Sequence, residues 1–172
     1  TEVVQFAANH RALPLLSRGT LAALKALGLA IGKLEVATVE EAVQQTHAPR
    51  RAWDLHTLTL WDVALTDVSG LAGCVALHSL NLSYCRHLTD VSSLGGCAAL
   101  HTLDLSCCAR LTEVSAALAG CATLHTLNLS WCGSLTDVSA LADCEKLHTL
   151  DLKYCGRLTD VSALAGCATL HT

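Results

Sequence analysis

From residue 55 onward, apolar and polar positions follow one recurring unit, LxxLxLxxCxxLTDVSxLxxCxx. Successive units begin 22, 23, 24, 23 and 23 residues apart, so the period is nearly constant. The units begin at Leu55, Leu77, Leu100, Leu124, Leu147 and Leu170, where a sixth unit starts. A period of about 20–50 residues indicates a repeat architecture, in which each unit buries its apolar face only against its neighbours.

The pattern inside each unit predicts a strand, a turn and a short return segment. Leu80 and Leu82 alternate with polar residues, and this period of two is typical of a strand. Asp90 and Ser92 suit the turn that follows, because short polar side chains accept backbone N–H groups. Too few residues remain for a long α-helix, so each unit predicts a short 3₁₀ or irregular segment on the back.

Residues 1–54 lack this pattern and are interpreted as an N-terminal helical capping region. Val3, Phe6 and Ala7 have helical spacing, and Pro14 would end that helix. Thr38 followed by Glu41 forms a capping box, which predicts the start of a second helix.

A stretch between these two helices allows two interpretations, and the sequence does not decide between them. One is a cryptic first repeat, because four leucines there repeat the spacing of Leu55, Leu58, Leu60 and Leu65. The other is an alanine-rich helix that begins at Thr20 and stops at Gly28. The four leucines are Leu24, Leu27, Leu29 and Leu34.

The recurring units resemble leucine-rich repeats, and the resemblance covers residues 55–172, as five complete repeats and the start of a sixth. The segment LTDVSALAGC is similar to the ITDIS-L segment of internalin repeats, and the cysteine resembles that of the cysteine-containing subtype. Kinetoplastid and giant-virus proteins carry similar repeats. The resemblance implies an α/β solenoid with a parallel concave sheet, short 3₁₀ or irregular convex segments and an N-terminal helical cap.

Composition agrees with a leucine-based core and narrows the classes of partner. The chain has 34 leucines among 172 residues, and aromatic residues make up only 3%. A formal net charge of -4 provides no basic surface for nucleic acid, so no nucleic-acid partner is expected. The longest apolar stretch is interrupted by Lys25 and is shorter than the roughly 20 residues of a membrane helix, so no membrane partner is expected.

Ten cysteines occur, and all but Cys107 fall into two columns of the repeat. Regular placement at core positions indicates buried thiols rather than disulfides. The sequence contains no CxxC pair, so it does not support a zinc site. So many free thiols predict an intracellular, reducing compartment, with the cytoplasm favoured. One column contains Cys85, Cys108, Cys132 and Cys155, and the other contains Cys74, Cys97, Cys121, Cys144 and Cys167.

Histidines and acidic residues also form columns. Each histidine is expected to bond a neighbouring backbone group or to pack at the sheet edge, although metal binding or pH sensing is an alternative. The acidic residues are expected to cap turns, so no metal or other cofactor is predicted. The histidines are His56, His78, His101, His125, His148 and His171, and the acidic residues are Asp67, Asp90, Glu113, Asp137 and Asp160.

The concave face is the candidate site, because its residues vary between repeats while the core does not. Small polar residues edged by tryptophan and tyrosine are typical of protein interfaces, whereas the alternative is that the rings pack over the following loop. The candidate partner-binding residues are Trp61, Asn81, Tyr84, Asp104, Asn128, Trp131, Asp151, Lys153 and Tyr154.

These features predict a non-enzymatic interaction or scaffold module that binds a protein partner of unknown identity through the concave face. Any Ser-His-Asp set would recur in every repeat, which is not how catalytic sites are built. A structural subunit of a large assembly is the alternative, followed by a ubiquitin-ligase adaptor of F-box type suggested by ALPLLSRGTLAAL. The sequence stops at Thr172 without a polar cap, so further repeats or a partner are expected to cover this end.

Overall fold

The computed structural model describes residues 3–7, 56–61, 65–72 and 74–170. Within these ranges, six parallel strands form one sheet in chain order, and each strand pairs with the next. The strands are β1 (Val3–Ala7), β2 (Thr57–Trp61), β3 (Ser79–Asn81), β4 (Thr102–Asp104), β5 (Thr126–Asn128) and β6 (Thr149–Asp151). The predicted parallel sheet of the repeats is therefore confirmed.

The register between strands aligns equivalent residues of successive repeats. Leu80 pairs with Leu103, and the neighbouring strands continue this column from Leu58 to Leu150. The side chains of Leu58, Leu80 and Leu103 are completely buried. Because side chains alternate across a strand, burying these leucines directs the residues on either side of them to the opposite, concave face.

The predicted short segments on the convex back are also confirmed. Four repeats have 3₁₀ segments there, and the third has a one-turn α-helix, α1 (Ser115–Leu118). That repeat is the longest, with 24 residues from Leu100 to the next unit, and α1 accommodates the additional residue. The 3₁₀ segments are Ser69–Leu71, Ser92–Gly96, Ser139–Asp143 and Ser162–Gly166.

The leucine core runs through the repeats and becomes more exposed at the last one. Leu127 and Leu129 in the fourth repeat are buried, whereas Leu150 and Leu152 in the fifth repeat are only partly buried. This difference follows from stacking, because the fourth repeat has described neighbours on both sides. The expectation that further repeats or a partner cover the fifth repeat stays a prediction.

The helix predicted from Val3, Phe6 and Ala7 is wrong, because Val3–Ala7 is strand β1. This strand pairs in parallel with β2, from Val3 opposite Thr57 to Ala7 opposite Trp61. Valine and phenylalanine favour strands, and the edge of β2 offers backbone groups that a further strand can pair. The second predicted helix, the cryptic repeat and the F-box-like segment lie outside the described residues.

A close approach between two convex segments gives a test of this packing. A Cβ atom added to Gly120 would overlap the carbonyl oxygen of Gly95 in the preceding repeat. Replacing Gly120 by alanine should therefore lower the free energy of unfolding by about 1–3 kcal/mol or more, because the backbone must shift. Chemical denaturation of both proteins measures the change.

Gly133 provides the matched control, because nothing lies within 4 Å of a Cβ atom built on it. Gly133→Ala should leave the free energy of unfolding unchanged or raise it by up to about 1 kcal/mol, through the lower entropy of the unfolded chain. Equal losses of stability in the two variants would contradict this stacking of the repeats.

Candidate functional site

The polar residues of the concave face hold the turn that follows each strand. The Oδ1 atom of Asn81 accepts the backbone N–H of Ser83 at 2.9 Å, and the same bond recurs in the next three repeats. The other three acceptors are Asp104, Asn128 and Asp151. These predicted site residues are half-buried and have a structural role, and their contribution to partner binding stays a prediction.

One residue per repeat beside this face has a left-handed backbone, with φ between 61° and 63°. We call this set the left-handed column, and it consists of Tyr84, Cys107, Trp131 and Tyr154. The backbone N–H of Trp131 donates to the carbonyl oxygen of Lys153 at 2.8 Å, and Tyr84 and Cys107 make equivalent bonds. The column is thus fixed to the solenoid through the backbone, while its side chains project from the edge of the concave face.

The aromatic side chains of this column remain exposed. The exposed fraction is 39% for Tyr84, 56% for Trp131 and 66% for Tyr154. The rings of Trp131 and Tyr154 stack with centroids 4.1 Å apart, and the Arg86 guanidinium lies 5.8 Å from the centre of the Tyr84 ring. The rings therefore pack partly on their neighbours and still present large apolar surfaces to a partner.

Two other predicted site residues flank this arrangement. Lys153 is exposed, and its Nζ atom lies 3.7 Å from Oδ2 of Asp151. Trp61 occupies the last position of β2, and its side chain is outside the described part of the chain. Alignment of the repeats would also have placed Cys107 in the site, because it occupies the position of Tyr84 and Trp131.

The thiols of the two cysteine columns bond backbone carbonyls of the preceding repeat. The Sγ–H of Cys85 donates to the carbonyl oxygen of Leu60 at 3.0 Å, and that of Cys132 donates to Leu105 at 3.2 Å. In the second column, Cys167 donates to the carbonyl oxygen of Leu141 at 3.1 Å. Buried cysteine thus supplies weak hydrogen bonds between repeats as well as apolar contact.

Burial makes these thiols unreactive. Removing the thiolate from water raises the pKa of Cys121 and Cys144 to about 11, and that of Cys97 and Cys132 to about 12. All ten cysteines are free, and all are buried except the half-buried Cys107 and Cys155. The expectation of free, largely buried thiols is therefore confirmed.

The histidine column is a stack of five described rings with centroids 5.0–5.4 Å apart. Nδ1 of His101 lies 2.6 Å from the carbonyl oxygen of Ala99, and three other histidines make the same contact. Because a carbonyl oxygen only accepts, Nδ1 must carry the hydrogen. The expected backbone bonds are thus confirmed, and no group of three or more metal-ligating side chains occurs in the described ranges.

The four aspartates of the acidic column cap the turns before the convex segments, as expected. Oδ1 of Asp90 accepts the backbone N–H of Ser92 at 2.8 Å, and Oδ1 of Asp137 accepts that of Ser139 at 2.7 Å. These backbone hydrogen bonds lower the carboxyl pKa values of Asp90 and Asp137 below 3.8. Asp160 bonds Ser162 in the same way, and its carboxyl pKa is lowered too.

The burial of the thiols predicts two different counts of reactive cysteines. At pH 8, native protein should react rapidly with a disulfide reagent only at Cys107 and more slowly at Cys155, because other thiols are buried and mostly protonated. After unfolding without reductant, all ten thiols should react. Cys107→Ser should remove the rapid phase, and fewer than ten thiols in the unfolded chain would indicate disulfides.

The acidic column predicts a loss of stability in acid. These carboxyls are harder to protonate in the folded chain, so their stabilisation is complete above pH 3.8 and is lost as the pH falls through the lowered pKa values. Urea unfolding between about pH 5 and pH 2 should show this decline. The variant Asp90→Asn with Asp137→Asn keeps one acceptor oxygen at each position but cannot be protonated there, so the decline should become flatter. An unchanged slope would refute the stabilising role of these two carboxylates.

A family model described as Leucine Rich repeat matches residues 120–142 and 143–165. An internalin from Listeria monocytogenes, InlF, is 24% identical over 69% of this chain and 40% of its own, with a TM-score of 0.50. Internalin C2 from Listeria monocytogenes is 27% identical over 67% and 58%, with a TM-score of 0.42. Among curated proteins, the comparison found no match.

The likeness to InlF concerns the fold alone, and the chain spans less than two thirds of either internalin's length. The similarity to kinetoplastid and giant-virus repeats stays a prediction. Among the described residues, no helix has the length and apolarity needed to cross a membrane. The recurring LxxLxL strands, the parallel sheet and the family model that matches two of the repeats together show a leucine-rich-repeat fold.

Proposed function

We propose that this chain is a non-enzymatic interaction module that binds a protein partner through its concave face and the left-handed column. The observation that carries the proposal is the exposed, stacked pair of Trp131 and Tyr154, held on a left-handed backbone at the edge of that face. Tryptophan and tyrosine are enriched among the residues that dominate binding energy at protein interfaces.

The backbone of the left-handed column strengthens this argument. A left-handed conformation costs a residue with a Cβ atom about 1–2 kcal/mol, whereas glycine adopts it readily. Trp131 and Tyr154 accept that cost although more than half of each side chain is exposed and adds little to the core. A contact outside the chain accounts for large rings at positions where glycine would satisfy the fold.

The rest of the concave face leaves room for a partner to approach. Its first strand positions carry only small hydroxyl side chains, which are half-buried or exposed. These residues are Ser79, Thr102, Thr126 and Thr149. A shallow polar surface with apolar anchors on one side agrees with the usual composition of interfaces, in which aromatic residues are enriched and charged residues are depleted at the centre.

The chemistry of the repeats supports an interaction role rather than catalysis. The thiols of Cys97 and Cys132 have pKa values of about 12 because of burial, so they are poor nucleophiles. Nδ1 of His101 and of His125 is occupied by a backbone carbonyl, as it is in His78 and His148. We also propose a reducing, intracellular compartment, with the cytoplasm favoured, because all ten cysteines are free.

A display library of protein fragments from the source organism tests the proposed site. Fragments selected on the wild-type chain should lose at least about tenfold in affinity for the variant Trp131→Ser with Tyr154→Ser, because the apolar anchors are removed. The melting temperature of the variant should change little, since both rings are exposed. Affinity and melting temperature are measured on the same preparations.

The matched control removes exposed apolar side chains from elsewhere on the solenoid. Val75→Ser with Val161→Ser replaces two exposed valines that lie outside the concave face and the left-handed column. This variant should bind the selected fragments as wild type does. Binding that depends on the valines and not on Trp131 and Tyr154 would favour the alternative of a structural subunit held by its edges and back.

A further inference from the structure

We infer that the left-handed column and the arginines beside it bind an acidic polypeptide segment that also carries an aromatic or other apolar side chain. This inference rests on the proposed function and names the chemistry of the partner. It concerns the loops that follow the strands, which are residues 84–87, 107–110, 131–134 and 154–157.

These loops carry positive charge without any acidic residue. Arg86, Arg110 and Arg157 each follow a member of the left-handed column by two or three residues. All three are exposed, and none forms an ion pair with a carboxylate of the described residues. Arginine presents a planar set of donors that matches a carboxylate in a bidentate manner, so these side chains are suited to an acidic partner.

One of the arginines, Arg86, lies within reach of the aromatic surface. The Arg86 guanidinium is 5.8 Å from the centre of the Tyr84 ring, a distance at which a cation and an aromatic face attract each other. A carboxylate that binds Arg86 therefore brings its neighbours along the chain close to Tyr84. This proximity is why the inferred segment combines acidic and apolar side chains.

The aspartates of the concave face and of the acidic column already have donors. On the concave side, Asp104 and Asp151 accept backbone N–H groups of Ser106 and Lys153. On the convex side, the aspartates of the acidic column do the same, as Asp90 does with Ser92. Glu113 belongs to that column too, and its backbone bridges to Asp137. The arginines, by contrast, form no ion pair within the described part of the chain and present their donors to an approaching chain.

The surface is open beside the two most exposed rings. Nothing lies within 4 Å of a Cβ atom built on Gly133 or Gly156, which follow Trp131 and Tyr154 by two residues. From Tyr84 to Tyr154 the column crosses three strand spacings, or about 14 Å. An extended segment of about four or five residues covers that length. A short linear motif is thus sufficient to contact both the rings and the arginines.

A random peptide library displayed on phage supplies the probe. Peptides selected on the 172-residue chain should carry net negative charge and an aromatic or other apolar residue. Their affinity should fall at least about tenfold for Arg110→Glu with Arg157→Glu, because reversal replaces attraction by repulsion. Lys146→Glu is the matched control, since Lys146 is exposed beside the histidine column. The affinity of the selected peptides for this variant should stay within about twofold of that for wild type.

The outcomes separate this inference from the proposed function. Two results would overturn the acidic partner and leave the aromatic site intact. In the first, the selected peptides require Trp131 and Tyr154 but are neutral or basic. In the second, they bind Arg110→Glu with Arg157→Glu as tightly as wild type. Peptides that bind Trp131→Ser with Tyr154→Ser as tightly as wild type overturn the inference. The fragment library then decides the proposed function independently. An oligouridine that binds more tightly than every selected peptide, and is lost in the reversal variant, also overturns it in favour of single-stranded RNA.

Discussion

Burial of the leucine column is the constraint on which the rest of this structure depends. One repeat cannot remove Leu80, Leu82 and Leu94 from water alone, so it must stack in register with its neighbours. Once Leu80 pairs with Leu103, every other position of the repeat is aligned with its equivalent as well. The cysteine, histidine, acidic and left-handed columns are all consequences of that single alignment.

The same alignment explains why a repeated residue says little about function. Neighbouring histidine rings stack at 5.0–5.4 Å, close to the spacing of about 4.8 Å between strands, so the stack follows from the fold and needs no metal or proton to explain it. Thiols and carboxylates of the other columns likewise bond the backbone. Positions that differ between repeats carry more information, and Cys107, Trp131 and Tyr154 differ while sharing one backbone geometry.

Local rules predicted the strands and the convex segments, because a period of two and a shortage of residues are visible within one repeat. Strand β1 could not be predicted this way, since Val3 and Phe6 fit helical spacing and the deciding interaction is pairing with the distant β2. For the site, aromatic positions were evident, but neither tyrosine nor tryptophan signals a left-handed backbone. Asn81 was expected on the concave face, yet its bond to the N–H of Ser83 depends on the turn geometry.

The hydrogen bonds of the turns and of the left-handed column give the centre and the edge of the concave face different roles. At the centre, Asn128 and Asp151 hold the turns after their strands, so any contact they make to a partner competes with a bond that the fold requires. At the edge, the left-handed column is fixed through the backbone N–H of Trp131, and its side chain is not needed to hold the turn. Side chains there can change without disturbing the leucine core. Recognition in this solenoid is therefore expected to concentrate where the backbone alone maintains the fold. The exposed rings occur at that edge, beside arginines that form no ion pair with the described residues.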